Sequence, residues 1–344
     1  MKTVSNKKKL PWYGKPFYWL YQIGLFLVKL GFILWAAGAL YYIKLDLPLS
    51  YVNGVLSISF TLFGIWVFWL EKTKRWVRGY YLLYIGLLIS WWSLMTPSHD
   101  RPWLKEVAVM PKAYINGDTV RITGVRNFDY RSRDDFTVKY EERTVQLSHL
   151  VGLDLYISYF MPGPVGHTFV SFIFDNAPPL SVSIETRPEI GESFAPIASM
   201  FRQFELIYVV GDERDIVRVR TNFRNEQVYL YRIRMSKQKL RELFLVYLRR
   251  INELADNPEF YHLLSNSCTI NIIRYANKAG RVGRIDFRHY LNGLIDSYFY
   301  SQGQLKPTDI PFVELRQQSN INKKAQQAND STDFSQKIRS GLPE

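Results

Sequence analysis

QVYLYRIRMSKQKLRELFLVYLRRINELAD, residues 227–256, changes its period halfway along. QVYLYRIR is a short run rich in Val, Leu, Ile and Tyr, the composition of a strand. From Lys237 onward Leu240, Leu243, Phe244, Tyr247, Leu248, Ile251 and Leu254 recur at three- and four-residue spacing, which is one stripe of an amphipathic helix. Upstream, from Gly117 to Arg234, short runs rich in Val, Ile, Tyr and Phe predict strands: DTVRITGV, RTVQLS, LDLYISYF, HTFVSFIF, LSVSIE, FELIYVV and DIVRVRT. Downstream, helices are expected from Cys268 to just before Gly280 and from Asp286 to about Tyr298. Strands first and helices second predict an α+β domain. Beyond Pro311 the chain is rich in Gln, Asn, Ser and Lys, so residues 311–344 are expected to form a disordered tail.

The first hundred residues have a different character. Residues 17–43 form one apolar run with a single charge, Lys29, and residues 51–70 and 79–95 form two more. Three transmembrane helices are the reading, giving a basic cytoplasmic N-terminus over 1–16, a membrane anchor over 17–95 and an exported domain over 96–310. The basic residues set the orientation. Lys2, Lys7, Lys8, Lys9 and Lys15 precede the first run, and Lys72, Lys74, Arg75 and Arg78 separate the second from the third, whereas residues 44–50 have no such excess. A cleavable signal peptide is the competing reading of the first run, whose WAAGAL segment has small residues, but the run is long for one and further spans follow. Lys29 is expected to face the helix bundle, because a charge facing lipid is costly. The expected location is the bacterial inner membrane, multi-pass, with the domain facing the periplasm. The net charge of +13 is partly this topogenic cluster, and the rest faces an envelope compartment, which favours anionic lipid headgroups or cell-wall polymers over nucleic acid as partner.

Cys268 is the only cysteine in 344 residues. It follows Asn266 and Ser267, either of which could cap a helix beginning there, and a thiol in a first helical turn gains from unpaired N–H groups and the helix dipole. A nucleophilic thiol needs a base. Of five histidines, His167 is the best placed, at the start of a β segment after a Gly-Pro turn; His99, His149 and His289 read as structural, and His262, six residues before Cys268, could approach it only if the intervening chain turned back. On the following strand Ser183 and Glu185 share a face, and either could orient the His167 ring. Arg187 lies on that same face and Arg214, Arg218 and Arg220 follow; of these Arg187 and Arg214, together with Asn266, are expected to contact substrate. No cofactor and no metal is called for.

Five motifs in order, RNFDY (126–130), GHTFVSF (166–172), SVSIETRPEIGESF (181–194), FELIYVVGDERD (204–215) and LLSNSCT (263–269), resemble the periplasmic domain of Lnb-type bacterial lipoprotein N-acyltransferases over roughly residues 97–280. The order of His strand, polar strand and Cys helix is also similar to circularly permuted papain-like folds, including lecithin:retinol acyltransferases and permuted NlpC/P60 amidases. The resemblance implies a papain-like exported domain with Cys268 as acyl-carrying nucleophile and His167 as its base. One feature departs from the Lnb pattern, in which the membrane spans follow the catalytic domain; here they precede it.

The expected function is therefore a membrane-anchored acyltransferase that takes an acyl chain from phospholipid as a Cys268 thioester and yields it to an amine, such as that of a lipoprotein. A Cys/His amidase or esterase and a non-catalytic membrane-anchored binding domain are the alternatives. Substitution of Cys268 separates the last from the others, and the identity of the acceptor separates transfer from hydrolysis.

Overall fold

A computed structural model describes residues 15–42, 51–70, 75–280, 286–307 and 309–343. The chain divides into two units, residues 1–96 and 97–344. In the first, α1 (Lys15–Tyr41), α2 (Val52–Ile65, continued by a π-turn over Trp66–Leu70) and α3 (Arg75–Leu94) are helices of mainly apolar sequence. Pro16–Tyr41 and Val52–Trp69 are long and apolar enough to cross a membrane. The third expected span is helical too, and its 20 residues give about 30 Å of rise, but Arg75 and Arg78 lie in its first turn and its hydropathy is lower than that of the other two. Lys29 turns inward as expected: its Nζ sits 5.6 Å from the centre of the Phe68 ring and 6.0 Å from that of Trp69. Most of the orienting lysines lie outside the described residues.

The second unit is mixed α+β, built on a nine-stranded sheet. Its strands are β1 (Lys112–Asn116), β2 (Thr119–Arg126), β5 (Tyr140–Gln146), β6 (Leu150–Tyr159), β7 (His167–Phe174), β8 (Leu180–Arg187), β9 (Glu205–Gly211), β10 (Gln227–Ile233) and β11 (Leu305–Lys306); β3 (Asp129–Tyr130) and β4 (Phe136–Thr137) pair apart from it. The order is β1-β2-β9-β8-β7-β6-β10-β11, with β5 on β2 and only β2 and β9 parallel. Helices α5 (Lys237–Asp256), α6 (Cys268–Lys278) and α7 (Ile295–Ser301) follow. One sheet face packs Leu153, Leu155, Val170, Phe172 and Val182 against Leu243, Phe244 and Tyr247 of α5 and Ile272 of α6. The stripe read from residues 240–254 is buried as its period requires.

Three expectations are corrected. DIVRVRT is not a strand; α4 (Glu213–Arg218) and a π-turn (Val219–Phe223) occupy it. Its alternation of Val and Arg imitates a half-exposed strand, but the arginines are as buried as the valines because carboxylates receive them. Asp212 caps α4, its Oδ1 accepting from the Arg214 N–H at 2.8 Å, and Asp215 accepts Arg126 Nε at 3.0 Å and Nη2 at 2.8 Å together with the Phe128 N–H at 2.7 Å. Arg218 Nη2 in turn donates to Asp129 at 2.7 Å, so RNFDY and DERD, far apart in sequence, are locked together. Second, the helix expected over 286–298 is two 3-10 turns, Phe287–His289 and Asn292–Leu294, before the short α7; Gly293 breaks it by packing against Pro164, where a Cβ would stand 2.7 Å from the carbonyl carbon.

Third, the tail is not disordered. Residues 312–343 fold as α8 (Phe312–Gln318), α9 (Asn322–Gln327) and α10 (Phe334–Lys337), and lay Ile321, Ala325, Ala328, Phe334 and Ile338 on the second sheet face, against Tyr156, Phe169, Ile207 and Leu230. The apolar residues are few, which is why composition alone misleads. Electrostatics does the rest: Asp154 and Glu213 are completely buried, and Arg339 reaches both, at 2.8 Å and 2.6 Å. Arg232 also pairs with Asp154, at 2.5 Å, but Glu213 without the Arg339 guanidinium would be a buried charge with no counter-charge among the described residues.

Candidate active site

The site lies at the end of the sheet where β7 begins, β6 and β8 end and α6 starts. Gly166, immediately before β7, has no room for a side chain: a Cβ would stand 2.8 Å from the Ser158 carbonyl oxygen. The tight approach sets His167 as the first residue of its strand, opposite Ser158. Phe169 pairs with Ser183, so His167, Ser183 and Glu185 share the second sheet face, as the two-residue period predicts.

These three residues form a relay. The Ser183 hydroxyl donates to Glu185 Oε1 at 2.6 Å and accepts from His167 Nε2 at 2.7 Å, while Nε2 also lies 3.1 Å from Glu185 Oε1. With Nε2 engaged as the donor, Nδ1 is the ring nitrogen left for the thiol, the tautomer a base requires. Glu185 is itself held by Arg220, whose Nη2 is 2.7 Å away and whose Nη1 reaches Glu226 at 3.0 Å; Glu226 also receives the Ser158 hydroxyl. The His167 ring is parallel to Phe169, 5.9 Å between centres, and the Arg220 guanidinium lies 5.4 Å from that same ring.

Cys268 is the first residue of α6, packed on the opposite sheet face. Ser267 occupies the cap position but its side chain makes no capping bond, and Asn266 does not cap either. Asn266 instead braces the turn before the cysteine: it donates to the Phe260 carbonyl at 3.1 Å and Glu259 at 3.2 Å and accepts from Asn271 at 2.9 Å. It is not among the residues lining the cavity beside His167, so the expected substrate contact is not there.

The electrostatics divide the proton between the pair. Burial alone would hold the Cys268 thiol up, but the charge and hydrogen bond of His167 and the backbone and side chain of Thr168 pull it down to about 6. Burial would likewise hold His167 neutral, yet Glu185 and the thiolate lift it to about 9 against the opposing charge of Arg220. Glu185, despite burial, is held well below the usual carboxylate range by His167 and Arg220. Near neutral pH the stable form is thiolate and imidazolium, the activated state of a cysteine nucleophile.

A cavity of about 430 Å³ opens beside His167, lined also by Phe160, Glu185, Phe194, Arg220, Arg224 and Tyr261. Two groups at the sulfur escaped the sequence reading. Asn292, carried in by the 3-10 turn, directs Nδ2 at the sulfur from 3.7 Å and is fixed by the Gly166 N–H at 2.9 Å. Tyr261 is buried beside the cysteine, and its burial together with the Cys268 charge raises the pKa of its hydroxyl. Neither sits in a pattern that singles it out; only the fold brings them to Cys268.

Two arginines expected at the substrate lie elsewhere. Arg187 is buried, with Nε donating to the Val107 carbonyl at 2.9 Å, Nη2 to that of Ala108 at 2.8 Å and Nη1 to His99 Nδ1 at 3.1 Å, its plane 4.3 Å from the Trp103 ring centre. It ties the segment after the membrane anchor to the sheet. Arg214 sits on α4 beside Asp129, at 3.6 Å, in a separate cavity with Asp175, Asp212 and Arg339. The other histidines are engaged away from the thiol: His99 with the Leu254 carbonyl, His149 with Asp175, His262 with Ser265, and His289 in a capping box with Asp286.

No curated protein and no solved structure matches the chain. Residues 136–293, which hold both His167 and Cys268, match the family model described as the Lnb N-terminal periplasmic domain, the family to which the five motifs point.

Proposed function

We propose that the protein is a membrane-anchored thiol acyltransferase, in which Cys268 takes an acyl chain from a phospholipid and passes it to an amine, a lipoprotein amino group being the acceptor the family suggests. The observation that carries this reading is the Cys268–His167 pair, with its proton already on the ring and Ser183, Glu185 and Arg220 fixing that ring. The thiolate sulfur attacks the ester carbonyl. The resulting oxyanion is within reach of Asn292 Nδ2 and the N–H groups at the start of α6, and the lysophospholipid alkoxide leaves with the proton from His167. The amine then attacks the thioester and gives its proton to the neutral imidazole, and the amide departs as the thiolate is restored. The strand and helix arrangement around the pair also supports the papain-like reading of the domain.

Orientation bears on this chemistry. With the basic N-terminus inside, two crossings would return the domain to the cytoplasm, so a periplasmic domain requires α3 to cross as well. That supports a multi-pass inner-membrane protein with the site on the periplasmic side.

The test is mass spectrometry of full-length protein incubated with phospholipid and no acceptor. An adduct of one acyl chain on Cys268, removed by hydroxylamine and not formed by His167→Ala, is expected. Turnover of phospholipid to free fatty acid without accumulation of the adduct or of an acylated amine would replace transfer by hydrolysis, and absence of both would replace the enzyme by a binding domain.

A further inference from the structure

Four loops meet at the Cys–His end of the sheet. They are the turn between β6 and β7, the segment between β8 and β9, the turn leading into α6, and the 3-10 turns that carry Asn292. They also bear most of the large apolar side chains that the described residues of this domain leave exposed, among them Phe160 at 42%, Met161 at 55%, Ile190 at 70%, Phe194 at 48%, Ile197 at 62% and Phe287 at 66%. Phe160 and Phe194 line the cavity beside His167 itself. Scattered apolar residues are ordinary on a surface, but a concentration round one opening is not.

The same rim is basic. Arg133 and Arg224 line the cavity, and Arg202 lies in the segment between β8 and β9. The neighbouring carboxylates are already engaged, Glu189 with Arg101 at 3.0 Å and Glu192 with Gln203 at 2.6 Å. The chain also enters the domain here: the Ser98 N–H donates to Glu205, first residue of β9, at 3.3 Å, and the Ile190 N–H donates to the Pro102 carbonyl at 2.8 Å. Ser98 stands only four residues beyond Leu94, where α3 ends.

From this arrangement we infer that the loop rim docks into the surface of a phospholipid bilayer rich in anionic headgroups, Phe194, Ile197, Phe160 and Met161 entering the headgroup and acyl boundary while Arg133, Arg202 and Arg224 meet phosphates. Side chains of this kind enter that boundary by about 5–10 Å when carried by an interfacial element. The cavity then opens onto lipid. Docking is a property of the rim and holds whether or not Cys268 is acylated.

The experiment uses the full-length chain in vesicles. Cys268→Ala removes the only thiol, and Phe194→Cys, Ile197→Cys and, as control, Val151→Cys are labelled with an environment-sensitive bimane. Val151 is exposed on β6 eight positions before Tyr159, at the far end of the sheet. Lipids carrying a nitroxide high on the acyl chain are expected to quench the labels at 194 and 197 several-fold more than the label at 151, and more strongly with phosphatidylglycerol than with phosphatidylcholine alone. Replacing Phe160 and Met161 by Glu should reduce that quenching without shifting the melting temperature. Equal quenching at all three positions overturns the inference, and so does a blue shift at 194 and 197 without nitroxide quenching, since that would mark a protein partner on the rim. Because every labelled protein lacks the nucleophile, neither result depends on the acyl-transfer reading.

Discussion

Arg220 and His167 share one oxygen atom: Glu185 Oε1 lies 2.7 Å from Arg220 Nη2 and 3.1 Å from His167 Nε2. The carboxylate is thus fixed in place by a permanent cation and offered to a switchable one. Glu185→Gln keeps the shape but removes the charge that raises His167, so the imidazolium should be lost at lower pH and the thiol should titrate above its present value near 6. Thiolate absorbance and the pH profile of iodoacetamide alkylation, taken on both proteins, check this. Coincident profiles would remove Glu185 from the relay.

The pair also makes an unusual statement about stability. His167 is raised from 6.5 to about 9, so its contribution is complete below 6.5 and fades as pH rises toward 9. Cys268 is lowered from 9.0 to about 6, so its contribution is complete above 9 and fades as pH falls toward 6. Over the shared window folded and unfolded chains each hold one proton on the pair, and the two slopes cancel. The melting temperature should be nearly flat across that window, whereas Cys268→Ala should lose stability steadily as pH rises through it. Calorimetry at several pH values distinguishes the two behaviours.

Arg220 and Arg224 both line the cavity but should fail differently. Arg220 is buried between Glu185 and Glu226, and Arg220→Ala leaves both carboxylates without it, a change that costs about 3–5 kcal/mol when one partner of a buried pair is removed. Arg224 is more exposed, and its ion pair with Glu226 is long, at 4.0 Å. Arg224→Ala should keep the fold and weaken only the use of phospholipid, so that high lipid concentration restores the rate. Thermal melts and lipid-concentration series on the two variants separate these outcomes.

Asn292→Ala should preserve the alkylation of Cys268 within a few-fold yet slow formation of the acyl adduct by about 10²-fold or more, the usual cost of one oxyanion donor. Equal losses in alkylation and acylation would make Asn292 a support for Gly166 alone.

Arg339→Ala tests the C-terminal segment. Glu213 has no exposed surface and, unlike Asp154, which keeps Arg232, has no other ion pair among the described residues, so losing the Arg339 guanidinium should destabilise the domain by about 3–5 kcal/mol, read as a fall in melting temperature. Arg339→Lys should recover part of it.

The legible parts of this protein were those written in short-range periodicity. The alternation in LSVSIETR placed Ser183 and Glu185 together, and the stripe from Leu240 to Leu254 named the helix against the sheet. What escaped depended on partners distant in sequence. Val217 and Val219 alternate with Arg218 and Arg220 like a strand, and only Asp129, Glu185 and Glu226 make it favourable for those arginines to be buried in a helix. Arg187 looked like a substrate contact because nothing local shows that the Val107 and Ala108 carbonyls await it. Asn292 belongs to the site through a turn that Pro164 and Gly293 create together.

The Arg339 clamp has a consequence for the order of events when the chain is made. Synthesis runs from the N-terminus, and Glu213 precedes its guanidinium partner Arg339 by 126 residues. Until that arginine has been made, Glu213, which has no exposed surface, lacks this counter-charge, so the second sheet face cannot be completed on a shorter partial chain. The long-range pairing that makes such a domain slow to fold therefore also ties completion of the second sheet face to the synthesis of residue 339.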